Sequence, residues 1–552
     1  MAPCCYKGWA SGRDNKMGIG RVLAFSALSI AVLATAASGA AAGYDVTEKS
    51  IAQLQADMTA GRVTSEQLVQ AYLDRIRQLD RAGPRLQSVI AISPVAIAEA
   101  RALDLERRNS GARGPLHGIP ILIKDNIETL DPLPTTAGSL VLKDNVTHRD
   151  APLVSRLRAA GAVILGKTNL SEWANIRSTQ SISGWSAIGG LTRNPYALDR
   201  NACGSSSGSG AATATSLAAA AIGTETDGSV TCPSSINGIV GLKPTVGLVA
   251  RTRIVPISHS QDTAGPMARN VADAAVLLKV IAGSDASDPA TADADANKVD
   301  YVAALDAASL KSVRLGILKV EGGMDSATDQ AFAAALTTMK NAGAEIVELP
   351  PITLPTTAGD DELKVLLFEL KADLNAYLAT TPDTVKSRTL ADIIAFDKAE
   401  PRELALFNQD LFEKAEATTG LDDPGYVQTH ADMIRYARST LDRLMADNKL
   451  DALIVPTASP SWRIDAVRGD RAAGESASLP AIAGYPHLTV PMGYVGGLPV
   501  GLSFIGPAWS EVKLLSYGYA YEQAAHMRRP PKFLPSIESV PEVERAFAPN
   551  TD

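Results

Sequence analysis

Short apolar runs alternate with helix-patterned stretches along most of this 552-residue chain, and no other feature narrows its fold as much. The runs are 119–123, 162–165, 313–318, 345–349 and 452–455. Each is of strand length and mostly apolar, as strands are when helices cover the sheet they form. The pattern therefore predicts an α/β protein with a largely buried sheet. Thr64-Ser65-Glu66-Gln67 reads as a capping box opening a helix that carries Leu68, Tyr72, Ile76 and Leu79 at helical spacing. Residues 360–378 and 427–447 read as helices placed to cover the site or the sheet edge, and 283–300, rich in Ala and Asp, as a surface excursion. Near the end, 488–491 and 500–505 flank Gly496-Gly497, a hairpin signal. The proline-rich tail after Arg528 reads as loosely held. No internal repeat and no clean boundary divides residues 43–552, so they are taken as one domain.

Residues 1–42 stand outside that fold. Lys7, Arg13, Lys16 and Arg21 precede the apolar run 22–37, and small residues fill 38–43. A positive start, a short apolar core and a small-residue exit describe a secretory signal peptide. The run is shorter than the about 20 apolar residues that span a bilayer. Cleavage after Ala40 or Ala42 fits equally well, and Met17 is an alternative start. The expected product is exported, periplasmic or secreted, with no stable membrane association after cleavage.

Removing residues 1–42 takes away four basic and one acidic side chain and moves the formal charge from −8 to −11. Such a protein is not built to hold nucleic acid or anionic lipid. Six histidines and four cysteines argue against a Cys/His metal cluster and a disulfide-dense scaffold. Cys203 and Cys232 survive cleavage and could pair in an oxidising compartment. The preferred reading is two small buried apolar residues.

Two motifs mislead. Gly161 to Thr168 fits the phosphate-loop pattern, but its variable positions are Ala, Val, Ile and Leu, a buried strand rather than an anion cradle. Gly204-Ser205-Ser206-Ser207-Gly208 fits the nucleophile elbow of α/β-hydrolases, which needs an apolar strand directly before it. The preceding 196–203 is polar and turn-like.

A third reading uses the same loop with a later serine. Small residues around Ser205 and Ser229 let backbone amides approach a substrate carbonyl closely. A weakly nucleophilic hydroxyl then needs a base, and a lysine serves where burial keeps it neutral. Lys124 ends the apolar run Gly118 to Ile123, where a strand would carry it inward; from that run alone, a surface lysine at a strand end is the favoured reading.

Together these segments resemble the amidase signature family. The Gly204–Gly210 loop, Thr226-Asp227-Gly228-Ser229, Gly241-Leu242-Lys243-Pro244, Gly166-Lys167-Thr168-Asn169 and Asp262 to Met267 match that family's blocks and order. Ser205 and Ser229 lie 24 apart and Lys124 and Ser205 lie 81 apart, as the family requires. The resemblance spans about residues 46–528. It implies a single large domain whose mixed, twisted sheet is covered by helices on both faces. It also implies Ser229 as acyl-forming nucleophile, Ser205 behind a cis peptide bond as bridging serine, and Lys124 as base, with this triad reversing the surface reading of Lys124. The oxyanion hole would be the N–H groups of Thr226, Asp227, Gly228 and Ser229. Asp125, Asn126 and Ser206 stand beside them, either to orient them or simply to cap their loops, and Asp227 either faces the substrate's leaving-group end or forms the turn with Gly228. No metal or cofactor is implied. Asp227-Gly228-Ser229-Val230-Thr231 and the Ser-Ser-Ser-Gly-Ser-Gly loop are similar to exported peptide amidases, which release ammonia from C-terminal peptide amides. The alternatives are another carboxamide or aryl acylamide hydrolase and the A-type subunit of an amidotransferase.

Overall fold

The structure, a computed structural model, describes residues 43–319, 325–471 and 474–547. The signal-peptide reading falls on residues outside the described ones. The strands are β1 (Val89–Ile92), β2 (Pro120–Lys124), β3 (Val163–Thr168), β4 (Trp185–Ser186), β5 (Gly190–Leu191), β6 (Ala220–Glu225) and β7 (Val240–Lys243). Then follow β8 (Thr263–Ala268), β9 (Arg314–Ile317), β10 (Glu345–Glu348), β11 (Ala452–Pro456), β12 (His487–Val495) and β13 (Leu498–Ile505). Eleven of them form one mixed sheet in the order β1-β3-β2-β6-β8-β7-β12-β13-β11-β9-β10, while β4 and β5 pair separately. Each of the five apolar runs is thus a strand of this sheet.

Helices surround the sheet, and the main core lies between them. Residues Leu68, Val69 and Tyr72 of the helix Ser65–Arg75 are buried, and Thr64 caps it with Gln67 in the reciprocal arrangement the sequence predicts. The helices Val271–Ile281 and Glu511–Ala525 add Leu278, Leu514 and Tyr521 to the same core as Ile121, Leu122 and Ile222 of the central strands. The β12–β13 hairpin turns at Gly496 and Gly497, both with positive φ, 54° and 86°, which a two-residue turn between twisted strands demands.

Pairing of β2 with β3 and with β6 is parallel, and Ile123 sits opposite Ile222. Lys124 therefore leaves the sheet at the same edge as Gly223 and Thr224. Ligand sites in such sheets form where neighbouring parallel strands end together.

The tail corrects one expectation. The Arg528 guanidinium donates to both carboxylate oxygens of Glu48 at 2.7 and 2.8 Å, and to the carbonyls of Gly238 and Ala214 at 2.7 and 3.0 Å. Beyond it, Phe533 N–H donates to Pro195 O at 3.0 Å and Leu198 N–H to Leu534 O at 2.8 Å. Proline content pointed to looseness, whereas long-range hydrogen bonds seat this segment on the domain. Arg528→Met should cost about 2 kcal/mol, a few degrees in Tm, by stranding Glu48 and two carbonyls. Calorimetry checks this, and an unchanged Tm would show that the clasp contributes nothing.

Candidate active site

Lys124 is fully buried at the end of β2. Its Nζ lies 2.7 Å from Ser205 Oγ, 2.8 Å from Thr224 Oγ1 and 3.2 Å from Thr224 O. No carboxylate pairs with it among the described residues. Burial pushes its pKa down to about 7, against a weaker upward pull from Asp262 and Glu225. A neutral amine has two N–H donors and one lone pair. Three oxygens suit it when both N–H groups face Thr224 and the lone pair faces the Ser205 hydroxyl.

Ser205 is also fully buried, follows a cis peptide bond from Gly204, and precedes the helix Ser207–Ala214. A Cβ at position 204 would fall 2.1 Å from Ser171 Oγ and 2.8 Å from Ser183 Oγ, so the loop closes this tightly only around glycine. The next residue, Ser206, donates its N–H to Ser229 O at 3.1 Å and so brings the second serine alongside the first. Ser229 keeps 8% of its surface exposed where Ser205 keeps none. That gradient fits an outer hydroxyl reaching substrate and an inner one relaying to the amine.

Ser229 sits in the turn between β6 and the helix Thr231–Ile236. Among the described residues, no protein acceptor meets the N–H groups of Thr226, Asp227, Gly228 and Ser229. Consecutive free N–H groups make an anion-binding concavity. Gly228 has φ 78°, a conformation that glycine adopts without cost. Glu225 braces the turn from within, accepting from Val230 N–H at 2.7 Å and Thr231 N–H at 2.9 Å. Asp262 steadies its far end, accepting from Thr226 Oγ1 at 2.6 Å and from Ile257 and Ser258 N–H at 2.8 and 3.0 Å, with its pKa raised to about 6 by burial.

The fold brings Lys124, Ser205, Thr226, Asp227, Gly228 and Ser229 to one sheet edge. Ser206 is used differently. Its Oγ donates to Thr224 O at 3.0 Å and accepts from Thr224 N–H at 3.2 Å, which spends the hydroxyl on bracing β6. Asn126 Nδ2 donates to Thr224 Oγ1 at 3.0 Å, so it too orients the lysine's partner. Asp125 instead lies 3.6 Å from Lys167, and Lys167 donates to Ile127 O at 2.6 Å and Thr135 Oγ1 at 2.8 Å. The lysine of the phosphate-loop decoy is thereby a buried brace inside β3. Thr224, Glu225 and Ser171 belong to the site and were not singled out by the sequence. Only the polar pair Thr224-Glu225, closing an otherwise apolar strand, hints at the first two.

Cys203 and Cys232 form a disulfide with their Cα atoms 6.1 Å apart, which overturns the reading of two unpaired residues. The fold packs the loop before Ser205 against the helix after Ser229, and both cysteines meet there beside Ile236 and Ala458.

One cavity borders the turn and a second lies behind Ser478 and Glu362. One, of about 460 Å³, is lined by Asn126, Thr224, Thr226, Ala174, Asp262 and Tyr377 among others. The other, of about 480 Å³, is walled by Leu354, Met433, Tyr436, Leu479 and Ile482 and reaches Glu362 and Ser478. Ser478 Oγ donates to Asp227 Oδ2 at 2.8 Å. Burial raises the Glu362 carboxyl, and the neighbouring Asp227 adds to that rise. The helices Ala358–Leu378 and Pro424–Asp447, expected over the site or the sheet edge, supply much of this second wall.

A fold and site of this kind define a hydrolase of amide C–N bonds. The Amidase family model matches residues 67–515, and the chain belongs to the amidase family. It is 39% identical over 504 residues to a protein named "Probable amidase" of Arabidopsis thaliana, covering 89% of this chain and 93% of that one. The structure of the native peptide amidase from Stenotrophomonas maltophilia is similar with a TM-score of 0.84 at 52% identity, over 88% of this chain and 99% of that one. A peptide amidase complex with the competitive inhibitor chymostatin aligns equally well. The A-type subunit of the glutamyl-tRNA(Gln) amidotransferase of Roseiflexus castenholzii is 36% identical over 493 residues, 87% of this chain and 97% of that one.

Gly228→Ala should reduce kcat about a hundredfold, because a Cβ there strains the positive φ and falls 3.2 Å from Glu475 Oε2, turning the free N–H groups aside. Steady-state kinetics beside a melting curve checks this. Wild-type kcat in a folded variant would exclude the turn from the reaction.

Proposed function

We propose that the protein releases ammonia from C-terminally amidated peptides through an acyl-enzyme on Ser229. The observation that carries this reading is the buried, carboxylate-free Lys124 amine 2.7 Å from Ser205 Oγ, next to a turn with four unclaimed N–H groups. Ser229 Oγ attacks the amide carbonyl and passes its proton to Ser205, which passes its own to Lys124 Nζ. The tetrahedral oxyanion rests on the N–H groups of Thr226 to Ser229, each essential donor worth roughly 3–4 kcal/mol in comparable sites. The proton returns through Ser205 to the leaving nitrogen, and ammonia departs. Water then opens the acyl-enzyme by the same relay.

Similarity to a peptide amidase supports a peptide amide as substrate. The apolar second cavity suits the acyl side of such a substrate. Asp227, with Ser478 holding one of its oxygens, suits an N–H donor from the substrate. Likeness to the A-type amidotransferase chain keeps a second reading, ammonia transfer within an assembly, which co-purifying partner chains would reveal. Export of residues 43–552 is part of the proposal, and the disulfide supports an oxidising destination.

The purified protein is expected to release ammonia from an amidated dipeptide and leave its internal peptide bond intact. Cleavage of an anilide alone would move the substrate to aryl amides. Ser229→Ala and Lys124→Ala should each lower kcat at least about 10³-fold with Tm nearly unchanged, and full activity in either would sink the mechanism.

The pH profile has a definite sign. Lys124 works only as the free amine, so the reactive fraction falls as pH drops through about 7. kcat/KM should decline about tenfold per pH unit below that point and level off above it. A flat profile from about pH 5 to 8 would remove Lys124 as base.

A further inference from the structure

We propose that the Cys203–Cys232 disulfide is a positioning device for the reaction, so that the chain with reduced cysteines is folded but poorly active. This inference rests on the Ser205–Ser229 reading above.

The bond joins residues 29 apart, and the loop it closes contains Ser205, Ser206 and Ser229. The sheet fixes Lys124 and Thr224, which lie within β2 and β6, but both reactive serines ride on segments outside it. Among the described residues, few hydrogen bonds link those segments directly. Ser206 N–H reaches Ser229 O at 3.1 Å, and Asn237 Nδ2 reaches Ala202 O at 2.9 Å. The disulfide adds a covalent cross-link between them.

Each half of the bond touches the site through one short step. Cys203 has φ 56°, a left-handed conformation that a non-glycine residue keeps only where its surroundings impose it. That residue sets the chain direction two positions before Ser205, and its carbonyl accepts from Ser207 Oγ. Cys232 donates its N–H to Gly228 O at 2.8 Å, so its position is that of the nucleophile turn. Reduction removes this cross-link and leaves the loop that carries Ser205 and the turn that carries Ser229 held to each other by the two hydrogen bonds named above. A misplacement near 1 Å at a reacting centre costs about a hundredfold in rate.

The fold should outlast the bond. Both cysteines are nearly fully buried, at 3% and 2%, among Ile236, Ala458 and the half-buried Trp462, where free thiols pack as small apolar side chains. Reduction consumes one dithiol: two electrons and two protons enter, Cys203 and Cys232 become thiols, and the dithiol becomes a disulfide. Reoxidation by oxidised glutathione reverses this. With export as proposed, activity would begin where the bond forms.

The test uses the full chain in three states: oxidised wild type, wild type reduced under native conditions by dithiothreitol, and Cys203→Ala/Cys232→Ala. Mass mapping of the peptides carrying residues 203 and 232 verifies each state. The readouts are kcat and KM on the amidated dipeptide, the rate of Ser229 labelling by a fluorophosphonate, and the melting curve. The expected result is a fall of about tenfold or more in kcat and in labelling rate together, with KM within about twofold and a cooperative melt retained. Oxidised glutathione should restore the reduced wild type and leave the double variant unchanged. Equal labelling rates in the oxidised and reduced forms would overturn the proposal. So would activity that falls only in proportion to the folded fraction, since the bond would then merely stabilise. If the double variant fails to fold, the reduced wild type decides by the same comparison. Absence of ammonia release with labelling intact would reject the substrate reading instead, and the labelling rates would still settle the disulfide.

Discussion

Everything at this site depends on keeping one amine buried without a counter-charge. Lys124 stands at the edge of the sheet with three oxygens around it and no carboxylate in contact among the described residues. An isolated ammonium in such a place is expensive, so the group relaxes toward the free amine and becomes a base near neutral pH. Two other lysines are just as buried and show the contrast. Lys167 has Asp125 at 3.6 Å and two oxygen acceptors, and Lys243, on β7, reaches the carbonyl of Pro244. Among the described residues, neither has a serine hydroxyl within hydrogen-bond distance. What distinguishes Lys124, the proposed base, among the described residues is burial free of any carboxylate contact together with the Ser205 hydroxyl at 2.7 Å.

That arrangement explains the division of labour between sheet and loops. β2 and β6 run parallel and in register, which fixes Lys124 against Thr224 with little freedom. Thr224 is the hub of the site. Its carbonyl accepts from Lys124 and Ser206, its hydroxyl accepts from Lys124 and Asn126, and its N–H donates to Ser206. The serines are delivered from loops, Ser205 from the turn before the helix Ser207–Ala214 and Ser229 from the turn that follows β6. Glycine at 204 and 228, and the Cys203–Cys232 bond, let those loops approach closely enough.

The strands and the hairpin were legible because each is written in local pattern, whereas the serine–lysine set rested on the family resemblance, since the run before Lys124 alone favours a surface lysine. Apolar runs show period and length, Gly496-Gly497 shows its turn, and the serine-rich loop shows small residues in an unusual density. The braces were not legible. Glu225 acts on N–H groups five and six residues ahead through a turn whose shape is set by the fold. Arg528 meets Glu48 across 480 residues, so a proline-rich composition could not reveal how firmly that tail is seated. The spacing of Cys203 and Cys232 likewise says nothing of whether their loops meet. Pairing between distant strands decides that, and the sheet order β2-β6-β8-β7 interleaves segments no local pattern connects.

The acidic groups around the turn show how finely the base is set. Desolvation drives Lys124 down, while Asp262 and Glu225, close enough to be felt but engaged elsewhere, hold it up. Glu225 spends its oxygens on Val230 and Thr231, and Asp262 on Thr226, Ile257 and Ser258. If either carboxylate touched the amine, the ammonium would be stabilised and the lone pair lost. If both were absent, their upward pull on the amine would be lost and its basicity would fall. The two carboxylates that brace the turn therefore also act on the proposed base, which links the geometry of the turn to the basicity of Lys124.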